Sequence, residues 1–163
     1  MRPYPYVGPA HILERVAGMP HGTSVRSAAD AIAWLKARKL TEEIVTFTVG
    51  LDASLRIADR ASEHVACAGF QPVLAAGELL LELSGAVVSV TWITNQSTGF
   101  CPEPSSWAAV DESLTTAAVH HPPMFSVAYE FRRCTECSTI NIVKDHELTC
   151  GCGAPLAETW NLG

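Results

Sequence analysis

Apolar residues recur every three or four positions in three stretches of the chain, the spacing that places them on one face of a helix. Residues 11–17 form the first stretch, which Gly18 ends. The second follows a capping-box pattern made by Ser27 and Asp30. The third starts at Trp107, directly after two serines that can cap a helix. The pattern therefore predicts two or three helices.

Between these helices the spacing of apolar residues changes to two, as in a strand with one buried face. Two pairs of such segments, each joined by a short turn, predict two hairpins: residues 44–49 with 55–57, and residues 78–83 with 87–93. In the second hairpin Val88, Val90 and Trp92 are predicted to share one face. A further strand is predicted at residues 64–68, before a segment broken by glycine and proline.

The strictest alternation covers residues 125–132, and the strand it predicts leads directly into Cys134. With the other segments it indicates an α+β fold, an antiparallel sheet of about six strands with two or three helices. We expect a body at residues 1–124, and at 125–163 a last sheet strand that continues into a small C-terminal module.

Composition narrows the functional classes. The chain has 163 residues, 48% of them hydrophobic and 17% charged, which is typical of a globular protein with its own core. Its net charge of −6 disfavours binding to nucleic acid or to anionic membrane surfaces. The first residues lack the apolar run of a signal peptide, and no stretch approaches about 18 apolar residues. We therefore expect a soluble, cytoplasmic protein without a membrane segment.

Four of the six cysteines form two close pairs separated by twelve residues: Cys134 with Cys137, and Cys150 with Cys152. In a reducing compartment, such pairs are more often metal ligands than disulfides. A tetrahedral Zn²⁺ ion needs four thiolates at about 2.3 Å, which two turns can supply. Residues 140–143 and 147–149 are predicted to form a hairpin between the turns. Because the second pair is closely spaced, His146 remains an alternative to one of its cysteines as a ligand.

With these cysteines, about the last thirty residues resemble the zinc ribbon superfamily, whose members hold one zinc between two cysteine turns on a small antiparallel sheet. The resemblance implies a structural zinc bound by Cys134, Cys137, Cys150 and Cys152. Gly153 follows the second turn as in that family, whereas Ser138 stands where glycine is common and the second pair is one residue shorter than usual. A closed site of four thiolates stabilises a fold and leaves no open position for a substrate.

Two polar stretches at predicted strand ends contain candidate ligand-binding residues. Asp59 and Glu63 belong to the first, and Asn95, Ser97 and Thr98 to the second. Loops at strand ends often hold binding residues, because a rigid sheet fixes their positions. The same residue types also make ordinary turns, and that remains the alternative interpretation.

A thiol enzyme is the competing hypothesis for the second stretch. Cys101 would be the nucleophile, His64 the base that lowers its pKa, and Asn95 the residue that orients the imidazole. A simple meander places His64 and Cys101 at opposite ends of the sheet. An extra strand at residues 73–75 would bring them together.

The sequence thus favours a small zinc-binding module that acts by binding a protein partner or a small ligand at its strand-end loops. The alternative is a thiol-dependent hydrolase or transferase that uses Cys101. Nucleic-acid binding, common among zinc ribbons, is disfavoured because the local charge of this ribbon is acidic. Its basic residues are Arg132, Arg133 and Lys144, and its acidic residues are Glu136, Asp145, Glu147 and Glu158.

Overall fold

Two hairpins build the main sheet in the computed structural model, which describes residues 1–163. The sheet has five antiparallel strands in the order β1-β3-β2-β4-β5. Its strands are β1 (Thr23–Val25), β2 (Glu42–Gly50), β3 (Leu55–Asp59), β4 (Val73–Ser84) and β5 (Val87–Thr94). Strands β6 (Glu130–Arg133) and β7 (Ile140–Val143) form a separate two-stranded sheet. Both predicted hairpins of the body, β2 with β3 and β4 with β5, are confirmed.

Four helices accompany the sheets: α1 (Ala10–Val16), α2 (Ala28–Ala37), α3 (His64–Cys67) and α4 (Trp107–Thr116). At the start of α2 the Asp30 carboxylate accepts the backbone N–H groups of Arg26 and Ser27, at 2.8 and 2.9 Å, as the capping pattern predicts. The longest helices have ten residues, so none is long enough to cross a membrane. The predicted α+β class is confirmed.

The main hydrophobic core lies on one face of the five-stranded sheet, under α2 and α4. Phe47 and Leu79 from the central strands are fully buried there, together with Leu35 of α2 and Leu114 of α4. The cluster contains 22 buried residues, and none of them belongs to β6, to β7 or to the cysteine pairs. The body therefore has a core of its own that does not include residues 130–163, from β6 to the end of the chain, which are called the ribbon below.

The strand predicted at residues 64–68 is wrong, because these residues form the helix α3. This helix packs on the opposite face of the sheet. Val65 and Cys67 do not alternate with exposed neighbours, because all of residues 65–68 are buried. Small alanines let this helical turn lie flat on the sheet, where the Thr48 hydroxyl on β2 donates to Cys67 Sγ at 3.6 Å.

The prediction that Trp92 shares a face with Val88 and Val90 is wrong, because the β4–β5 hairpin contains a β-bulge. Leu80 pairs with Trp92 but Leu81 pairs with Val90, so one extra residue lies between the two pairs on β5. Ile93 therefore joins Val88 and Val90 in the core, and Trp92 turns to the other face, where it is half-buried.

The strand predicted at residues 125–132 is confirmed only at its end, in β6. Upstream, Val127 forms a single parallel bridge with Thr94. The Asn95 side chain then takes the place of a neighbouring strand, because it accepts the Tyr129 N–H at 2.7 Å and donates to the Tyr129 carbonyl at 2.8 Å. The chain consequently leaves the main sheet before β6 begins.

The ribbon pairs its strands differently from the prediction. Strand β7 pairs with β6, which precedes the first cysteine pair, and not with residues 147–149. Those residues instead contact the chain beyond the second pair, through a bridge of Thr149 with Pro155. The free edge of β6 is covered by the C-terminal tail, where Asn161 bonds both backbone groups of Arg133.

Candidate metal centre and ligand cleft

Four cysteine sulfurs converge at the end of the ribbon. Cys134 Sγ lies 3.7 Å from Cys152 Sγ, and Cys137 Sγ lies 3.6 Å from Cys150 Sγ. All four sulfurs lie within 4.8 Å of one another, and none forms a disulfide. A tetrahedron with zinc–sulfur bonds of about 2.3 Å has edges of about 3.8 Å, whereas a disulfide bond is about 2.0 Å long. The spacing therefore fits a metal ion.

Each cysteine pair lies in a tight turn that aims its sulfurs at the same point. In the first turn the Ser138 N–H donates to the Cys134 carbonyl at 3.0 Å, and in the second the Gly153 N–H donates to the Cys150 carbonyl at 2.8 Å. Both turns end in a left-handed residue, Ser138 with φ 61° and Gly153 with φ 89°. The serine thus adopts the conformation for which glycine is usual, and the shorter second turn still delivers both sulfurs.

The pKa values of two of the thiols reflect how closely the four sulfurs lie. Bonds from Thr139 lower the pKa of Cys137 to about 6. The backbone of Ala154 acts to lower the pKa of Cys152, but the neighbouring sulfurs outweigh it and raise that pKa to about 12. Four adjacent thiolates repel one another unless a positive ion lies between them.

The donor set fits a soft or borderline metal ion in a closed site. Each turn contributes one buried and one exposed cysteine, and Val143, Leu148 and Leu156 pack around the buried pair. The cluster does not include His146, which is exposed. The four cysteines can therefore hold a metal ion without the histidine.

The three residues of the thiol hypothesis are engaged separately. The Cys101 thiol is fully buried and bonds the Thr98 carbonyl at 3.5 Å, and burial raises its pKa to about 12. His64 Nε2 lies 2.9 Å from the Gly77 carbonyl. The Asn95 amide, fully buried, bonds Pro102 and Tyr129. All of their observed hydrogen bonds are to backbone atoms, and none joins one of the three side chains to another.

The predicted ligand-binding residues fall in different places. Ser97 is buried, and its hydroxyl accepts the Phe100 N–H at 3.4 Å, whereas Thr98 is exposed at the rim of a cleft. Asp59 and Glu63 line another cavity, of about 550 Å³, between α1 and α3. In this α1–α3 pocket Glu63 is paired with Arg15, and Asp59 is paired with Arg38 at 3.1 Å.

A cleft of about 580 Å³, the ribbon cleft, separates the two-stranded sheet from the body. Its ribbon side is one face of the sheet, because Phe131 pairs with Ile142 and Arg133 pairs with Ile140. Its body side is held in place by the Val7 N–H, which donates to the Gly99 carbonyl at 2.7 Å. The cleft is lined by Val7, Gly8, Pro9, Thr98, Phe131, Arg133, Ser138, Ile140 and Ile142.

Sequence reasoning found Thr98 but missed the rest of this lining. A signal was present in the alternation of Phe131 with Arg133 and of Ile140 with Ile142, which marks one face of each strand. It becomes informative only when β6 is known to pair with β7, because that register places both pairs on the same side of the sheet.

The comparisons with known proteins leave the site to be interpreted from its own geometry. No protein-family model, curated protein or solved structure matches this chain. The likeness of its last residues to zinc ribbons therefore rests on the four cysteines, their spacing and the turns that hold them.

Proposed function

We propose that the protein is a small zinc-stabilised module that acts by binding. Four thiolates form a complete tetrahedral shell for Zn²⁺ and leave no position for water or substrate, so the metal would stabilise the fold. Thiolate ligands favour zinc over Mg²⁺ or Ca²⁺, which prefer oxygen. Because thiolate sites persist in a reducing environment, we place the protein in the cytoplasm.

The ribbon cleft is the binding site that we propose, and the observation that carries this proposal is its size and lining. At about 580 Å³ it falls within the range of small-molecule sites, which are mostly apolar with a few polar groups. Ile140 and Ile142 supply apolar surface beside the buried Phe131, and Arg133 and Thr98 supply polar groups. We therefore favour a small ligand over a protein partner.

Nucleic acid is a poor candidate for this surface. The net charge of the chain is −6, and the cleft is lined by a single cation, Arg133. Non-specific binding to a phosphate backbone needs several lysines or arginines along one face. The thiol hypothesis is not favoured either, because a buried thiol with a raised pKa is a weak nucleophile at neutral pH.

Metal analysis tests the first part of the proposal. Purified protein should contain about one zinc per chain, bound by the four cysteines. A variant with Cys134→Ser and Cys150→Ser should contain almost none, because it loses two of the four ligands. Cys101→Ala is the matched control, since this cysteine lies outside the cluster. Equal zinc content in the double variant would contradict the proposed site.

Ligand titrations followed by amide NMR shifts test the second part. We would use compounds that share a 3-phenylpropyl group and differ in the attached carboxylate, primary amide, ammonium or phosphate. At least one should shift amide resonances at the ribbon cleft, such as those of Gly8, Thr98 and Ile140. If none does, or if the shifts map elsewhere, the cleft is not the binding site.

A further inference from the structure

The ribbon cleft contains one charged side chain, and that side chain is a cation. Arg133 projects from β6, and none of the other lining residues is acidic or basic. We infer that the cleft binds an apolar monocarboxylate and that Arg133 holds its carboxylate. This inference rests on the proposed binding role of the cleft and specifies its ligand.

The adjacent residue, Arg132, differs from Arg133 because its guanidinium is paired within the protein. Its side chain is buried and pairs with Glu130 at 3.1 Å, and it donates to three backbone carbonyls. Arg133 points to the other face of the sheet and is absent from all six ion pairs of the protein. Its guanidinium makes one hydrogen bond, from Nη1 to the Ser138 carbonyl at 3.3 Å. Nε and Nη2 therefore remain available.

The backbone of Arg133 is fixed before any ligand arrives, and its guanidinium already has one partner in the protein. Its backbone N–H donates to Asn161 Oδ1, and its carbonyl accepts Asn161 Nδ2, both at 2.8 Å. The bond to Ser138 ties the guanidinium to the first cysteine turn. A side chain held in this way loses less conformational freedom when it binds, which strengthens binding.

The surroundings select a ligand with a single negative charge and an apolar part. A guanidinium matches a carboxylate because two parallel N–H groups can meet its two oxygens. A phosphate monoester would bring a second negative charge into the cleft of a protein whose net charge is already −6. Phe131, Ile140 and Ile142 line the same face as Arg133, and Ile142 is 37% exposed. An apolar group bound there would shield this surface from water.

The same phenylpropyl compounds test the inference. The carboxylate, 4-phenylbutyrate, should bind roughly tenfold more tightly than the neutral amide, because it gains a charge-assisted pair of hydrogen bonds. The ammonium compound should bind most weakly, and the phosphate ester should bind less tightly than the carboxylate.

Arg133→Gln should remove the preference for the carboxylate over the amide. Arg133→Lys should keep part of it, because an ammonium group supplies charge without the paired geometry. The matched control is Arg26→Gln, which removes the same charge from an exposed arginine outside the cleft. Unchanged zinc content and an unchanged spectrum away from the cleft would show that the Arg133 variants are folded.

Three results would overturn the inference: equal affinity for carboxylate and amide, a preference that survives in Arg133→Gln, or tighter binding of the phosphate ester. If the compounds still shift cleft resonances, the cleft remains a binding site and only the assigned ligand class is wrong. If no compound binds, both the ligand class and the proposed function fail.

Discussion

The ribbon cleft and the α1–α3 pocket have nearly the same volume, about 580 and 550 Å³, but they differ in whether their charged side chains form ion pairs. In the α1–α3 pocket both carboxylates have arginine partners, Glu63 with Arg15 and Asp59 with Arg38. In the ribbon cleft Arg133 has no carboxylate partner within the chain. Cavity size therefore does not separate the two sites, whereas the pairing of their charges does.

The difference also concerns how each cavity is supported. The α1–α3 pocket lies between helices, one of which packs on the five-stranded sheet. The ribbon cleft depends on β6 and β7, which pack in two clusters of three buried residues each, one of them around the metal-binding cysteines. Such small clusters contribute little apolar burial, so we expect the ribbon to depend on a bound metal far more than the body does.

Metal removal should produce the largest difference between the two cavities. A strong zinc chelator, or Cys134→Ser with Cys150→Ser, should unfold the ribbon and abolish the ribbon cleft, because structural zinc contributes several kcal/mol. The α1–α3 pocket should persist, since α1 and α3 pack in a separate cluster of eight buried residues, none of which belongs to the ribbon. Amide hydrogen exchange would measure both regions in one experiment.

Cys67→Ala provides the control for that experiment, because it removes a thiol outside the metal cluster and outside the two clusters in which β6 and β7 pack. We propose that the ribbon, residues 130–163, and the body, whose core includes Phe125, respond as separate folding units. Loss of protection across β2 and β4 at the same chelator concentration as across β6 and β7 would contradict this.

Asn95→Ala should have the next largest effect. The amide makes three hydrogen bonds of 2.7 to 2.8 Å, to Pro102 and to both backbone groups of Tyr129. Its removal leaves buried partners unpaired and should lower the free energy of unfolding by roughly 3 kcal/mol. Urea unfolding measures this loss, which we expect to be accompanied by larger NMR changes at the ribbon cleft than at the α1–α3 pocket.

Gln96→Ala is the control for Asn95, since the neighbouring side chain is exposed and should change stability by less than about 0.5 kcal/mol. Equal losses in the two variants would mean that the hydrogen bonds of Asn95 contribute little. The same result would remove its suggested role in holding the chain that enters β6.

The helices, the hairpins of the body and the cysteine cluster could be predicted because their signals are local. The capping pattern of Ser27 and Asp30 lies within one turn, and each cysteine pair lies within one tight turn. The α3 segment could not be predicted, because Val65 and Cys67 alternate in sequence in a way that also fits a strand. Only packing on the sheet shows that the residues between them are buried too.

The ribbon cleft was missed because its parts are distant in sequence. Val7 reaches Thr98 and Gly99 only after the N-terminal segment bonds the loop behind β5, and Arg133 meets Ile140 only in the β6–β7 register. An unpaired arginine is likewise visible only when the positions of all acidic groups are known. The site is formed by backbone contacts between segments that are distant in sequence, and the residue types alone do not reveal it.

A smaller effect should appear in the pH dependence of stability, to which a histidine beside the α1–α3 pocket contributes and the ribbon cleft does not. Burial lowers the pKa of His64, which begins α3 beside the α1–α3 pocket. The unfolded chain therefore binds a proton more readily, and this contribution to stability is fully present above about pH 6.5 and declines as pH falls below it. Between about pH 8 and pH 6 the loss from this residue should be less than about 1 kcal/mol.

Urea unfolding of the zinc-saturated protein would measure the pH effect, with His64→Gln as the variant that does not titrate. The variant should lose less stability over this pH interval than the unmodified chain. Carboxylate binding at the ribbon cleft should not differ between the two proteins, because no histidine lines that cleft. A larger loss of stability in the variant would contradict the assigned direction of the His64 shift.

The smallest effect should come from giving the α1–α3 pocket an unpaired cation. Glu63→Gln removes the partner of Arg15 and should change stability by less than about 1 kcal/mol, since both side chains are largely exposed. If unpaired charge is what makes a cavity of this size bind anions, 4-phenylbutyrate should begin to shift resonances around Met19 and Ala66, which line the pocket. Binding should stay weaker than at the ribbon cleft, because Asp59 still contributes a negative charge.

Glu112→Gln, which neutralises an exposed acidic residue on α4, controls for the change in net charge. The same gain in both variants would attribute it to the overall field and not to Arg15. No gain in Glu63→Gln would mean that a free guanidinium is insufficient by itself. The bonds of Asn161 to the Arg133 backbone and of Ser138 to its guanidinium would then be the feature that makes the ribbon cleft a binding site.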